Sequence, residues 1–195
     1  MPMSPHLSPG SHNIPHPASR IPHPGSRIPD GRNARLSHLK VISSLWATSA
    51  RRALEHALDM DDLAVLVDVL NASQQRLGLE LGTELALDLV PSLSRLLDSE
   101  YEDYLIAGLN TVCTLTKAVG PALRDMEDAV ACGFVGHGVD LQMEERQERC
   151  RALRDELVAM GPRLQVVATG KGRSAHLASR VLKSLQRWLH SESFG

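Results

Sequence analysis

Aromatic residues are scarce in this chain of 195 residues, in which Trp, Tyr and Phe together make up 3%. The apolar fraction of 43% is enough for a core, but that core must be aliphatic, which favours packed α-helices over a β-sandwich. The sequence has no apolar run of the ~20 residues that cross a membrane, and no basic and then apolar start typical of a secretory signal peptide. We therefore expect an all-α, cytoplasmic protein without a membrane as partner.

Residues for catalysis or metal binding are equally scarce. The three cysteines, Cys113, Cys132 and Cys150, cannot all pair with one another, and in an intracellular chain we expect reduced thiols. Cys132 and His137 lack the further ligands that a zinc site needs. The Gly-Lys-Gly-Arg-Ser stretch at 170–174 does not have the spacing of a phosphate-binding loop. We expect no enzymatic activity, no cofactor and no metal.

Charge is distributed unevenly along the chain, although the net charge is only −2. Residues 1–40 carry five basic side chains against one acidic, residues 55–103 carry twelve acidic against two basic, and residues 163–190 carry six basic and no acidic side chain. The last segment predicts a basic surface for acidic tubulin tails or an acidic partner helix. Its members are Lys171, Arg173, Arg180, Lys183 and Arg187. Nucleic acid is not expected as a partner, because aromatic residues do not alternate with these bases and half of the chain is acidic.

Proline is concentrated near the start of the chain. Eight of the 11 prolines lie between Pro2 and Pro29, in a segment with few large apolar residues. Such a segment cannot bury enough surface to offset its ordering entropy, so residues 1–35 are predicted to be a disordered tail. The tail also repeats an Ile-Pro-His-Pro-x-Ser-Arg unit of seven residues, at 14–20 and again at 21–27. The two prolines in each unit exclude a coiled coil.

Two Ser-Arg-Ile-Pro sequences span the junctions of this repeat. They resemble the Ser-x-Ile-Pro motif with which basic, proline-rich segments bind microtubule end-binding proteins. The isoleucine would fill a small apolar pocket, the proline would hold the backbone extended, and two copies would raise the affinity through effective concentration. The alternative is a low-complexity repeat without a partner. The candidate residues are Ser19, Ile21 and Pro22 in the first copy and Ser26, Ile28 and Pro29 in the second.

Leucine, valine and alanine recur at helical spacing from Leu36 onward. The pattern predicts about seven antiparallel helices over residues 36–195, packed as a bundle or as a short armadillo- or HEAT-like array. One apolar stripe runs from Leu36 to Ala57, the acidic residues up to Asp62 start the next helix, and residues 63–70 form a buried helix rather than a strand.

Glycine, proline and polar caps set the boundaries of the later helices. Pro91 is expected to kink or split its helix, and Gly120 with Pro121 to end the following one. Ser174 is expected to cap the last helix. The long helix that follows Asp140 has its inward positions at Met143, Cys150, Leu153, Leu157 and Met160.

Three stretches of the helical part resemble the conserved C-terminal domain of the regulatory, non-catalytic subunit of katanin. They are residues 63–70, residues 93–104 with their paired tyrosines, and residues 138–150. The resemblance runs from about Leu36 to Leu189 and includes no N-terminal β-propeller. It implies an all-helical domain that pairs with the N-terminal helical bundle of the catalytic AAA ATPase subunit and promotes microtubule binding and severing. It also implies recruitment of spindle-pole proteins and a location in the cytoplasm and cytoskeleton, including the centrosome and spindle pole.

A partner interface of this kind needs exposed aromatic or arginine anchors. Tyr101 falls on an apolar stripe and is predicted to lie in the core, whereas Tyr104 lies off that stripe and is the better anchor. Arg151 and Arg154 flank the core position Leu153 and are expected to reach an acidic partner. The alternative is a general helical interaction module or a ligand-binding bundle unrelated to severing, which would need polar groups that converge in a pocket.

Overall fold

The computed structural model describes residues 31–131 and 141–190 of the chain. Within these two ranges the chain forms eight α-helices and no strand, so the predicted all-α fold is confirmed. The helices are α1 (Gly31–Thr48), α2 (Ala50–Asp59), α3 (Leu63–Glu80), α4 (Thr83–Leu97), α5 (Glu102–Ala131), α6 (Leu141–Ala159), α7 (Gly161–Thr169) and α8 (Arg173–His190). The first helix begins at Gly31 rather than at Leu36, and the rest of the predicted tail lies outside the described residues.

A polar cap at Ser49 divides the first predicted stripe into two helices. Ser49 has extended backbone angles, φ −158° and ψ 114°, and its side chain accepts a hydrogen bond of 3.3 Å from the backbone N–H of Arg52. This bond satisfies one of the amide groups that a helix start leaves without a partner. The apolar periodicity continues through the break, with Ile42 on α1 and Leu54 on α2 both buried, so it does not reveal the boundary.

The start of α3 confirms the buried helix predicted for residues 63–70. The Asp62 carboxylate accepts hydrogen bonds from the backbone N–H groups of Ala64 and Val65, at 2.9 and 3.3 Å. Its negative charge also faces the positive end of the helix dipole. Because other helices enclose this segment, its apolar residues are buried almost all round. The buried residues are Val65, Leu66, Val67, Val69 and Leu70.

Two helices continue through a proline. Pro91 lies inside α4 without splitting it, and α5 continues through Pro121, so the predicted helix end at Gly120 is wrong. A proline inside a helix removes one backbone hydrogen bond and costs about 3 kcal/mol. Burial on both sides of Pro121 offsets that cost, because Val119 is 2% exposed and Leu123 is 1% exposed.

The described helices pack as two rows. One row contains α1, α3, α5 and α8, and the other contains α2, α4, α6 and α7, with contact between successive helices of each row. Neighbours along the chain often lie in opposite rows, as α1 and α2, α4 and α5, or α7 and α8 do. Of the two predicted arrangements, this pattern is that of a short helical array. Its centre is α5, which contacts α3, α4, α6 and α8.

Leucine side chains form most of the core between the two rows. Those that are fully buried are Leu54, Leu70, Leu77, Leu85, Leu89, Leu93, Leu96, Leu109, Leu115, Leu123, Leu153 and Leu157. Removing such aliphatic surface from water stabilises the fold by about 25 cal/mol per Å². The rows approach closely where α5 has a glycine, since a Cβ built on Gly108 would lie 3.1 Å from the Cβ of Leu96.

The second half of α6 packs against the core. Cys150, Leu153 and Leu157 are buried, and Met160, just after the helix, is 1% exposed, as predicted. Met143 is 46% exposed, so its predicted inward position is wrong. The reason is that the first turns of α6 extend beyond the core and contain no buried residue before Cys150. Asp140, the predicted cap of this helix, lies outside the described residues.

Candidate docking surfaces

A groove lined by cationic side chains runs between α5 and α8. Two adjoining cavities of about 410 and 230 Å³ form it, and they share Lys117, Ser184 and Arg187. The cationic residues of this basic groove are Lys117 and Arg124 of α5 and Arg180, Lys183 and Arg187 of α8. All five are exposed, and among the described residues no carboxylate lines either cavity. The groove is therefore a concave surface with one sign of charge.

Three of the five residues predicted to form a basic surface lie in this groove. They are Arg180, Lys183 and Arg187, whereas Lys171 and Arg173 lie at the other end of α8. Lys171 lines a separate cleft. The predicted basic surface is thus divided between two places in the structure.

Lys117 and Arg124 of the basic groove were not among the predicted residues. They lie two helical turns apart on α5 and therefore on one face of that helix. This spacing is visible in the sequence only if the helix continues through Pro121. The predicted helix end at Gly120 concealed it.

Four arginines elsewhere in the described array pair with carboxylates of another helix or turn. Arg35 of α1 donates from Nε to Oδ2 of Asp68 on α3 at 2.8 Å, and this hydrogen bond is the main cause that raises the pKa of Arg35. Arg163 of α7 lies 3.1 Å from Asp98, just after α4. None of the five cations of the basic groove has an ion-pair partner within the described ranges.

Arg51 connects α2 to α4 through two carboxylates. Its Nε donates to Glu55 of the same helix and its Nη2 donates to Glu84 of α4, both at 2.7 Å. The hydrogen bond from Arg51, and then its positive charge, lower the pKa of Glu84. The same contacts, with the Glu55 hydrogen bond first, raise the pKa of Arg51. The link between these helices therefore depends on an ionised Glu84.

The two tyrosines have the reverse of their predicted exposures. Tyr101 is 70% exposed, so its predicted core position is wrong, and Tyr104 is half-buried against the core. Tyr101 precedes Glu102, the first residue of α5, and so does not continue the apolar stripe of that helix. The two rings, which we call the tyrosine pair, lie 5.4 Å apart between centroids at an interplanar angle of 51°. Tilted rings at this distance attract each other.

An apolar cleft of about 550 Å³ lies between the α4–α5 turn and α7. Ser99 lines it and connects it to the tyrosine pair, since the backbone N–H of Tyr101 donates to the Ser99 hydroxyl at 3.2 Å. Val166, also in the lining, is 72% exposed. Exposed apolar residues around a cleft are typical of a protein interface. The apolar residues that line it are Leu97, Leu105, Pro162, Val166 and Val167.

Arg151 and Arg154 lie on α6 on either side of the buried Leu153, as predicted. Arg151 is exposed and Arg154 is half-buried. A role of these arginines in partner binding stays a prediction. The Ser-Arg-Ile-Pro sequences of the tail lie outside the described residues.

The described cysteines, Cys113 and Cys150, are not joined in a disulfide; Cys113 is half-buried in the lining of the basic groove and Cys150 is buried. Cys132 and His137 lie outside the described residues. Across 31–131 and 141–190, no group of three or more His, Cys, Asp or Glu side chains is placed to hold a metal ion. No helix in these ranges has the length and hydropathy of a membrane span.

Comparison with known families gives a match that covers most of the chain. Residues 32–185 match the con80 domain of katanin. The chain belongs to this family. The resemblance inferred from the sequence is thereby confirmed, and all eight described helices of the con80 domain overlap the matched range.

Three curated relatives share the name katanin p80 WD40 repeat-containing subunit B1. The Danio rerio protein is 30% identical over 126 residues, which are 64% of this chain and 17% of the relative. The Xenopus tropicalis protein is 26% identical over 141 residues, 72% of this chain and 21% of the relative. The Gallus gallus protein is 29% identical over 119 residues, 60% of this chain and 17% of the relative. The con80 chain thus spans about a fifth of the length of these relatives.

Proposed function

We propose that this con80 chain is a non-catalytic regulatory subunit of the katanin microtubule-severing machinery. It binds the N-terminal helical domain of the catalytic AAA ATPase subunit as a heterodimer and modulates the binding and severing of microtubules, in the cytoplasm and at the cytoskeleton, including the centrosome and spindle pole. The observation that carries this proposal is the family match over residues 32–185. The two-row array supports it, because stacked helices offer an extended surface to another protein.

We expect the tyrosine pair and the arginines of α6 to contact the ATPase domain. Exposed aromatic and arginine side chains carry most of the binding energy in protein interfaces. Tyr101 is the exposed anchor, and the half-buried Tyr104 holds its ring in place from the core side. Arg151 and Arg154 supply positive charge on a second surface.

Calorimetric titration of the full chain with the purified N-terminal domain of the ATPase tests the proposal. We expect one-to-one binding with a Kd in the micromolar range or below, as for specific protein pairs. Severing of labelled microtubules by the ATPase, measured with and without the chain, then reports modulation. Absence of binding at about 100 μM would leave the alternative of a helical module unrelated to severing.

Variants at the expected contacts locate the interface. Tyr101→Ala and the pair Arg151→Glu with Arg154→Glu are each expected to raise the Kd by about tenfold or more. The pair Arg52→Glu with Arg76→Glu changes the net charge equally at exposed sites of α2 and α3 and serves as the control. Circular dichroism checks the fold of each variant. An unchanged Kd would remove the substituted residues from the interface.

We also propose that the tail binds microtubule end-binding proteins through its two Ser-Arg-Ile-Pro sequences. Pull-down of an end-binding protein by the full chain tests this contact. We expect capture to be abolished when Ile21, Pro22, Ile28 and Pro29 are all replaced by alanine. Variants that keep one of the two copies intact should retain part of the capture. Alanine at 14 and 15 is the control, because that Ile-Pro follows His-Asn and not Ser-Arg. Equal capture by all variants would show that the repeat does not bind this partner.

A further inference from the structure

The positive charges of the basic groove are not neutralised by any carboxylate of the described chain. Asp125 and Asp128 belong to α5 but line neither cavity. One of the five cations makes a hydrogen bond within its own helix: Nε of Arg187 donates to the backbone carbonyl oxygen of Lys183 at 3.4 Å. Five like charges facing one concavity repel one another, and an anionic ligand would relieve that repulsion.

The dimensions of the basic groove fit a short extended peptide. Along α5 it runs from Cys113 to Arg124, which is about 16 Å at the 1.5 Å rise of a helix. Along α8 it runs from Leu177 to Arg187, about 15 Å. An extended chain advances about 3.3 Å per residue, so about five residues would fill this length.

The floor of the groove favours a peptide over a nucleic acid or a phosphate polymer. Leu177, Val181 and Pro121 give it apolar surface for aliphatic side-chain stems. Such stems belong to the side chains of a peptide, whereas a phosphate backbone has none. Among the lining residues whose side chains the structure describes, none is aromatic and able to stack a base.

We propose that the basic groove binds an extended, carboxylate-rich peptide segment of a partner protein, about five residues long. Carboxylates of the peptide pair with the lysine and arginine side chains along both edges. The proposal does not depend on the regulatory role, since the peptide is tested without the ATPase. A chain that fails to bind the ATPase domain still gives a clear result in this test.

Fluorescence anisotropy of a labelled, end-blocked hexaglutamate peptide with the full chain is the test. We expect saturable binding, and at least about tenfold weaker binding by the Lys117→Glu, Arg187→Glu double variant. Lys40→Glu with Arg76→Glu, on α1 and α3, makes the same change in net charge away from the groove and should alter the Kd less than about threefold. Equal weakening by the two pairs, or absence of saturable binding, would overturn the proposal. Lys117→Gln with Arg187→Gln repeats the test without introducing acidic residues.

Competition by other polyanions separates a peptide site from a general anion site. Oligothymidylate and polyphosphate of equal charge should compete less well than unlabelled peptide. Stronger competition by either would assign the groove to that polyanion instead.

Discussion

Glu102 accepts a hydrogen bond of 3.1 Å at Oε1 from the backbone N–H of Arg173, which lies 71 residues later in the chain. The same oxygen accepts from the backbone N–H of Ser174 at 3.4 Å. Since Glu102 is the first residue of α5, its carboxylate lies near the positive ends of two helix dipoles. Ser174 was the predicted cap of α8, but the carboxylate that accepts these bonds comes from another helix.

Removal of this shared cap is expected to destabilise the fold. Glu102→Ala should lower the free energy of unfolding by about 1 kcal/mol, the usual effect of losing a helix cap. Glu102→Gln keeps an acceptor without the charge and should have a smaller effect. Urea denaturation followed by circular dichroism measures both. Glu100→Ala, at an exposed position outside the helices, is the control, and an equal loss there would argue against the capping role.

Gly172 is required next to the cap for two reasons. Its φ is +102°, and a Cβ built on it would lie 3.0 Å from Oε1 of Glu102. Gly172→Ala should therefore destabilise the fold by about 1–2 kcal/mol, measured by urea denaturation. Gly82→Ala, where a Cβ meets nothing within 4 Å, is the control. In the Glu102→Ala background the effect of Gly172→Ala should shrink, because one of its two causes is gone.

The close contact of α4 with α5 at Gly108 predicts a steric effect. Valine there would place a branched side chain against Leu96, whose Cβ is already 3.1 Å from the position of an added Cβ. We expect Gly108→Val to lower stability by about 2 kcal/mol, as overpacking in a core does. Thermal denaturation measures the loss. Gly161→Val, at the open start of α7, should change the melting temperature far less, and equal shifts would contradict the steric cause.

The link between Arg51 and Glu84 predicts a dependence on pH. The pKa of Glu84 is lowered in the folded chain from an ordinary value of 4.5, so the contribution of the pair is complete above that value. It is lost as the pH falls through the lowered pKa, because the unfolded chain then binds the proton first. Since the pair is exposed, the effect should be small. Urea denaturation should show wild type more stable than Glu84→Gln at pH 7, by a difference that shrinks as the pH is lowered below 4.5, and a constant difference would contradict the pair.

Helix identity could be predicted where burial repeats with the helical period. Leu85, Leu89 and Leu93 of α4 are buried as their spacing indicates. Helix boundaries were harder to predict, because the end of a helix depends on local polar hydrogen bonds or on packing against distant parts of the chain. The cap at Ser49 breaks an uninterrupted apolar stripe, and packing carries α5 through Pro121 against the local preference of proline.

The candidate surfaces depended on those boundaries. Three cations of the basic groove follow from α8 alone, but Arg124 joins Lys117 on one face of α5 only because that helix continues past Gly120. The exposures of Tyr101 and Tyr104 were reversed for the same reason, since α5 begins after the first tyrosine. Which helix faces which neighbour is set by contacts distant in the chain, and a single sequence does not display these.

The central position of α5 has a mechanical consequence. This helix of 30 residues is about 45 Å long and touches helices of both rows. Both α3 and α8 therefore pack on a single continuous rod, and no loop lies between the two contacts to act as a hinge.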